Sequence, residues 1–226
     1  MTNPSQSLKA IVFDAYGTLF DVHSVIALCN EIFPERGQAL SQLWRAKQLE
    51  YTWLLSLMGR YEDFWSVTER ALRFACKSLR LPLDPARQAR LMEAYLHLDP
   101  YPEVQEALAA LSAYPLAILS NGSPPMLQAV VSSAKLDGVF AHVVSVDEIG
   151  IYKPSPQVYQ LAADRLGVER GSIAFISSNS FDIIGASAFG FHTYWVNRAN
   201  KPLDELGLRP DQVIIRLTDL VESLGE

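Results

Sequence analysis

Cysteine is scarce in this chain, and Cys29 and Cys76 are too far apart for a disulfide framework or a metal knuckle. They read as buried thiols. Histidine is sparse too, and His23, His97, His142 and His192 show no ligand spacing, so no zinc site is expected. Basic charge is in deficit, with a formal net charge of -6, whereas a nucleic-acid binder needs a basic face to replace the counterions around phosphates. Long apolar runs are missing. The opening stretch "MTNPSQSLKAIVFD" meets Asp14 after a short one, so neither a signal peptide nor a membrane span is expected, and a cytoplasmic protein follows. There is no low-complexity tract and no repeat at a fixed period.

What is present suits a globular enzyme-sized fold. With 226 residues and 49% hydrophobic composition the chain can bury a core as one domain, or as one domain carrying an insertion. Strand signals stand at "KAIVF" (9–13), "LAILS" (116–120), "HVVSV" (142–146), "IAFIS" (173–177) and "TYWV" (193–196). They are short, apolar and mostly non-alternating, as strands covered on both faces are, so the expected class is α/β with a parallel, Rossmann-like sheet. The first two signals lie about a hundred residues apart. A simple crossover needs only roughly a dozen residues. The stretch between is helical in pattern: residues 39–58 carry apolar side chains at 40, 43, 44, 49, 53, 54, 57 and 58, and 63–79 and 85–98 read likewise. The expectation is therefore a core of residues 1–19 and 99–226 with a helical cap subdomain, 20–98, inserted after the first strand.

Polar clusters follow the strands, at the carboxyl edge where open parallel sheets bind ligands. Asp14 follows the first, in a loop with Thr18. It could be a turn residue, but its place beyond "AIVF" favours a nucleophile. Ser120 and Asn121 open "SNGS", either a plain strand-to-helix loop or an anion site at a helix start. Lys153 precedes Pro154, so it should be extended while the proline begins a helix. Asn179 and Asp182 in "SSNSFD" share a face if a helix begins by Asn179, with Ser178 or Asn179 capping it. Arg45, in the pattern 39–58, is by periodicity either a surface residue or a cation under the cap.

Taken jointly, "DAYGTLFDVHS", "LWRAKQLEYTW", "ILSNGS", "YKPSPQVY" and "FISSNSFD" resemble the L-2-haloacid dehalogenases of the haloacid dehalogenase superfamily, over nearly the whole chain. Phosphoryl-transferring members of that superfamily usually carry a second Asp two residues after the nucleophile, as proton donor, and acids after the fourth strand for magnesium. Here Tyr16 and "SSNS" stand instead. A phenol of pKa near ~10 protonates an alkoxide poorly at neutral pH. A reaction without metal or cofactor, with a halide as leaving group, is thus expected.

The resemblance implies that Asp14 attacks C2 of a short 2-haloalkanoate, and that Arg45 and Asn121 receive the halide while Ser120 holds the substrate carboxylate. It implies that Lys153, supported by Tyr159, keeps Asp14 ionised, and that Ser177, Asn179 and Asp182 position Asp14 and the hydrolytic water beside Thr18. Tyr16, Leu49, Phe64 and Phe181 would form the apolar pocket. Many members carry Trp at the position of Phe181 and often Gln at that of Ala46, so pocket size and halide preference are open to difference. A homodimer is expected by the same resemblance. The rivals are a magnesium-dependent phosphatase or mutase on this fold, a hydrolase of another activated carbon–heteroatom bond, and a non-catalytic relative.

Overall fold

The structure, a computed structural model, describes residues 8–225. Residues 1–7, which make up half of the opening stretch taken as too short for a leader, and Glu226 lie outside the described residues. Six strands, β1 (Ala10–Phe13), β2 (Leu116–Ser120), β3 (His142–Ser145), β4 (Ile173–Ser177), β5 (His192–Val196) and β6 (Gln212–Ile214), form one parallel sheet in the order β3-β2-β1-β4-β5-β6. Every residue of β1, β2 and β4 is buried, which is why they read as continuous apolar runs. In register, Val12 stands between Ala117 of β2 and Phe175 of β4. The chain winds outward from β1 through β2 to β3, then returns to β4 on the other side and continues to β6. The reversal between β1 and β4 opens a crevice at their carboxyl ends.

Between β1 and β2 the chain is helical: α1 (Ile26–Ile32), α2 (Gly37–Leu57), α3 (Phe64–Ser78), α4 (Pro85–Ala94) and α5 (Val104–Ala110). Asp63 and Asp84 cap α3 and α4 by accepting from the backbone N–H groups of Ser66 (3.0 Å) and Arg87 (2.8 Å). The third expected helix, 85–98, is shorter than its pattern. Past Ala94 the N–H groups of Tyr95, Leu96 and His97 bond three residues back, and the helix tightens into a turn. The end of α2 and the loop before α3 are tied to the core: Tyr61 Oη donates to Asp147, and Tyr152 N–H donates to Ser56 Oγ (3.1 Å).

The remaining helices are α6 (Pro124–Ser133), α7 (Pro156–Leu166), α8 (Ser180–Phe189) and α9 (Leu217–Gly225). Pro154 does not begin a helix. Lys153 and Pro154 lie in a turn closed by Ser155 N–H on Tyr152 O (3.1 Å), and Pro156 takes the first helical position of α7. Cys29 and Cys76 are free and buried, and burial pushes their thiols up to about 12 and about 11. No described helix is long and apolar enough to cross a membrane.

Candidate active site

Asp14 is the first residue beyond β1, and its N–H still donates to Ile176 O of β4 (2.9 Å). The chain then wraps on itself, with the N–H groups of Thr18, Leu19 and Phe20 all returning to Ala15 O. Gly17 makes the wrap possible at φ +94°, a conformation that side chains resist. The wrap returns Thr18 to Asp14, so that Thr18 Oγ1 donates to Asp14 Oδ2 (2.9 Å) and accepts from Ser178 N–H (2.8 Å).

Two further segments converge on this carboxylate. Lys153 Nζ, from the turn before α7, donates to Asp14 Oδ1 (3.0 Å) and Asp182 Oδ2 (2.8 Å). Asn179 Nδ2 donates to Asp14 Oδ2 (2.8 Å) and to Tyr16 O (3.2 Å). Asn179 does occupy the N-cap position of α8, but its side chain caps nothing, because Asp14 and the Tyr16 carbonyl engage its amide. Nor does Ser178 cap α8: its Oγ accepts from Arg198 Nη1 (3.0 Å). Behind them Tyr159 Oη donates to Asp182 Oδ1 (2.9 Å), and Ser177 Oγ accepts from Asn179 N–H (3.1 Å).

The cap side contributes Arg45 from α2, whose Nη2 donates to Tyr16 O (3.1 Å) and Asn179 Oδ1 (3.3 Å). From the loop after β2, Asn121 Oδ1 accepts from Lys153 N–H (3.1 Å) and Ser120 Oγ accepts from Gly122 N–H (3.0 Å). Both side chains thereby keep their own donors, an amide NH2 and a hydroxyl proton, for a ligand. Gly122 lets the Tyr16 ring close in, since a Cβ there would stand 2.6 Å from Tyr16 Cε2.

Asp14, Tyr16, Arg45, Leu49, Phe64, Ser120, Asn121, Lys153, Asn179 and Phe181 line one small enclosed cavity. All of these, drawn from six separate stretches, were singled out in the sequence. The others so marked, Thr18, Tyr159, Ser177 and Asp182, are fully buried behind Asp14. Arg45, Leu49 and Asn179 also line a more open cavity of about 230 Å³ with His23, Arg198 and Lys201.

Burial works against the charge on Lys153, yet Asp14 and Asp182 outweigh it and hold the ammonium above its ordinary range. Asp182 is raised to about 6, because burial there exceeds the opposing pull of Lys153. Burial likewise pushes the phenols of Tyr16 and Tyr159 well up. Among the described residues the Tyr16 hydroxyl has no hydrogen-bond partner. These residues do not fit magnesium: the Lys153 ammonium sits between the two carboxylates, and the far side of Asp14 meets an amide and a hydroxyl instead of further acids. Among the described residues no group of three or more His, Cys, Asp or Glu is arranged to hold a metal.

Two residues of the site escaped sequence reasoning. Gln48 accepts from Arg45 Nη1 (2.7 Å), and its only signal is its place three residues after Arg45 on α2. Arg198, just past β5, donates to Ser178 Oγ (3.0 Å), Thr18 O (3.0 Å) and Glu103 Oε1 (2.8 Å), joining the loops after β1 and β4. Nothing in its local sequence marks it.

The family of haloacid dehalogenase-like hydrolases matches residues 8–190. An (S)-2-haloacid dehalogenase of Pseudomonas sp. (strain YL) is 51% identical, over 95% of this chain and 94% of its own. Among solved structures, an L-2-haloacid dehalogenase is 44% identical with a TM-score of 0.96, covering 98% of this chain and 100% of its own. The L-2-haloacid dehalogenase of Xanthobacter autotrophicus with chloropropionic acid covalently bound is 41% identical with a TM-score of 0.93, over 96% of this chain and 98% of its own.

Proposed function

The chain belongs to the haloacid dehalogenase-like hydrolases, and from that footing we propose that it acts as an (S)-2-haloacid dehalogenase, hydrolysing short-chain L-2-haloalkanoic acids to D-2-hydroxyalkanoic acids. One observation carries this reading to the level of bonds. Asp14 accepts from Lys153, Thr18 and Asn179, while the phenol of Tyr16, where a proton donor would be needed for an alkoxide, is pushed further from donating. A nucleophile without an acid beside it suits a leaving group that departs as a stable anion.

One oxygen of Asp14 attacks C2 in line, the carbon–halogen bond breaks, and the halide takes the charge that the carboxylate gives up. Arg45 and the amide of Asn121 receive it, and Ser120 binds the substrate carboxylate. Lys153 offsets the repulsion as one carboxylate approaches another. Tyr16, Leu49, Phe64 and Phe181 enclose the alkyl group. Attack inverts C2. Water then adds to the Asp14 ester carbon and the alcohol leaves, so the second step spares the inverted centre and turns L substrate into D product. Asp182, Ser177, Asn179 and Thr18 hold Asp14 and that water, with Tyr159 fixing Asp182. The covalently bound chloropropionic acid in the relative from Xanthobacter autotrophicus supports such an ester.

No metal or cofactor enters this scheme. It assigns residues 1–19 and 99–226 to the core and 20–98 to the cap, and it takes the protein as a cytoplasmic homodimer. The deciding measurement is halide release from each enantiomer of 2-chloropropionate without added metal, which should proceed with the L form alone. In oxygen-18 water a single turnover should label Asp14, and label in the product instead would rule out the ester.

A further inference from the structure

Arg45 is held without being neutralised. A guanidinium on a long side chain needs acceptors to fix its plane, and a carboxylate is the usual one. Here all the acceptors are neutral. On the core side they are Tyr16 O and Asn179 Oδ1, and on the cap side Gln48 Oε1 at 2.7 Å. Among the described residues Arg45 has no salt bridge.

The orientation of Gln48 is itself determined. Arg45 can only donate, so Gln48 must turn its oxygen to it and its NH2 the other way. That NH2 donates to Thr68 Oγ1 of α3 (2.6 Å), and the Thr68 proton passes to Phe64 O (2.6 Å), one turn earlier on the same helix. Gln48 and Thr68 are both fully buried. Every link has one possible direction. The chain runs from the backbone carbonyl of the pocket residue Phe64 itself to the Nη1 of Arg45. Burying two polar side chains at a helix–helix contact costs stability that apolar residues of the same size would not, so their presence calls for a task.

We propose that Gln48 and Thr68 are positioning residues for the halide displacement: they fix the Arg45 guanidinium, with its charge intact, where the departing halide is received. The inference rests on the dehalogenase reading above, and on Arg45 as the halide's partner. If the relay slackens, the leaving group loses part of its stabilisation in the transition state, and a poorer leaving group suffers more. The substrate carboxylate, bound elsewhere, is unaffected.

The test is the single-turnover rate of halide release, enzyme in excess, from L-2-chloropropionate and L-2-bromopropionate, for the unchanged protein, Gln48→Met, Gln48→Glu and Thr68→Val. Release of neither halide by the unchanged protein would remove the dehalogenase reading itself and is a separate failure. Deleting a donor to a developing anion outright costs ~10²–10³-fold, so loosening one should slow chloride release on the order of ten-fold, and bromide release several-fold less. Gln48→Glu, which keeps an acceptor but cancels the charge, should slow chloride release at least as much as Gln48→Met. Thr68→Val, close to isosteric, should follow the direction of Gln48→Met with a smaller effect and covers the case in which a Gln48 variant does not fold. Unchanged rates, or equal slowing for both halides in the variants that fold, would overturn the proposal, because a merely structural defect does not distinguish leaving groups.

Discussion

Asp14 and Asp182 would face each other inside the protein with nothing between them if Lys153 were removed, since its side chain is 1% exposed and bridges both. Removing one partner of such a buried pair costs about 3–5 kcal/mol. The Lys153→Met protein should therefore unfold at lower denaturant by roughly that free energy and lose about 10²–10³-fold or more in halide release. Full activity in that variant would show that Asp14 needs no cation.

The same cluster sets a pH dependence. Asp182 is raised to about 6 by burial, so it binds its proton more tightly in the folded chain than in the unfolded one. Taken alone, it favours folding most below the ordinary carboxylate value of 3.8 and withdraws that support as pH climbs to about 6. Lys153, raised with its two carboxylates, contributes in full below its ordinary 10.5 and loses the contribution only in stronger alkali. Activity runs the other way from the Asp182 effect, because protonation withdraws the acceptor from Lys153 and Tyr159. Halide release should rise with pH along a limb near about 6. A profile flat down to pH 4 would mean that Asp182 is not needed as an anion.

At the scale of elements, α2 explains what the sequence could and could not disclose. Its pattern of apolar residues marks a helix, yet its buried stripe is Gly37, Leu40, Ser41, Trp44, Gln48 and Thr52, all but Leu40 and Trp44 polar or small. Hydrophobic periodicity finds Leu40 and Trp44 and misses Gln48, because a polar residue in a buried helix contact looks like a surface residue until its partner on another helix is known. The strands β1, β2 and β4 were legible since both their faces are covered, and β3, at an edge with Val143 exposed, was legible by its apolar run alone. The strand β6 was not, being three residues at the sheet's edge with Gln212 and Val213 exposed. The site was read largely through joint motifs, whereas Arg198 reaches it only through the fold.

The helix α3 carries a pocket residue at its first position, Phe64, directly after its cap Asp63. The Asp63 carboxylate takes both Ser66 N–H (3.0 Å) and Ser66 Oγ (2.9 Å). Asp63→Ala should cost about 0.5–2 kcal/mol in stability and fray the turn that holds Phe64 in the pocket. Looser enclosure of the alkyl group should raise KM for 2-chloropropionate, and because Phe64 O also anchors Thr68, halide release should slow as well, by no more than in Thr68→Val. A fall in kcat at constant KM would place Phe64 in the chemical step instead.

For the whole molecule, the helices that close the site also present an apolar face to solvent. Leu57 is 85% exposed, Met58 58%, Leu54 44% and Phe74 39%, all on or beside the ends of α2 and α3. The Tyr51 and Phe74 rings meet edge to face, and Lys47 stands over Phe74, so the patch is continuous across both helices. On α2 only Leu57 lies opposite the stripe that carries Gln48, while Lys47, Tyr51 and Leu54 flank that stripe. A patch of this kind on the surface of a monomer marks an association site, and the self-complementary contact of a two-fold dimer would cover it from both sides. Packing α2 from outside would also stiffen Arg45 within. The protein should therefore sediment at twice the mass of one chain at micromolar concentration. Leu57→Lys with Phe74→Lys should sediment as a single chain while keeping its helical spectrum. Because Arg45 is held from the inner face of the same helix, the separated chains should release halide more slowly and recover as their concentration is raised. A single-chain mass for the unchanged protein would remove the dimer, and with it the claim that the outer face of α2 supports the inner one.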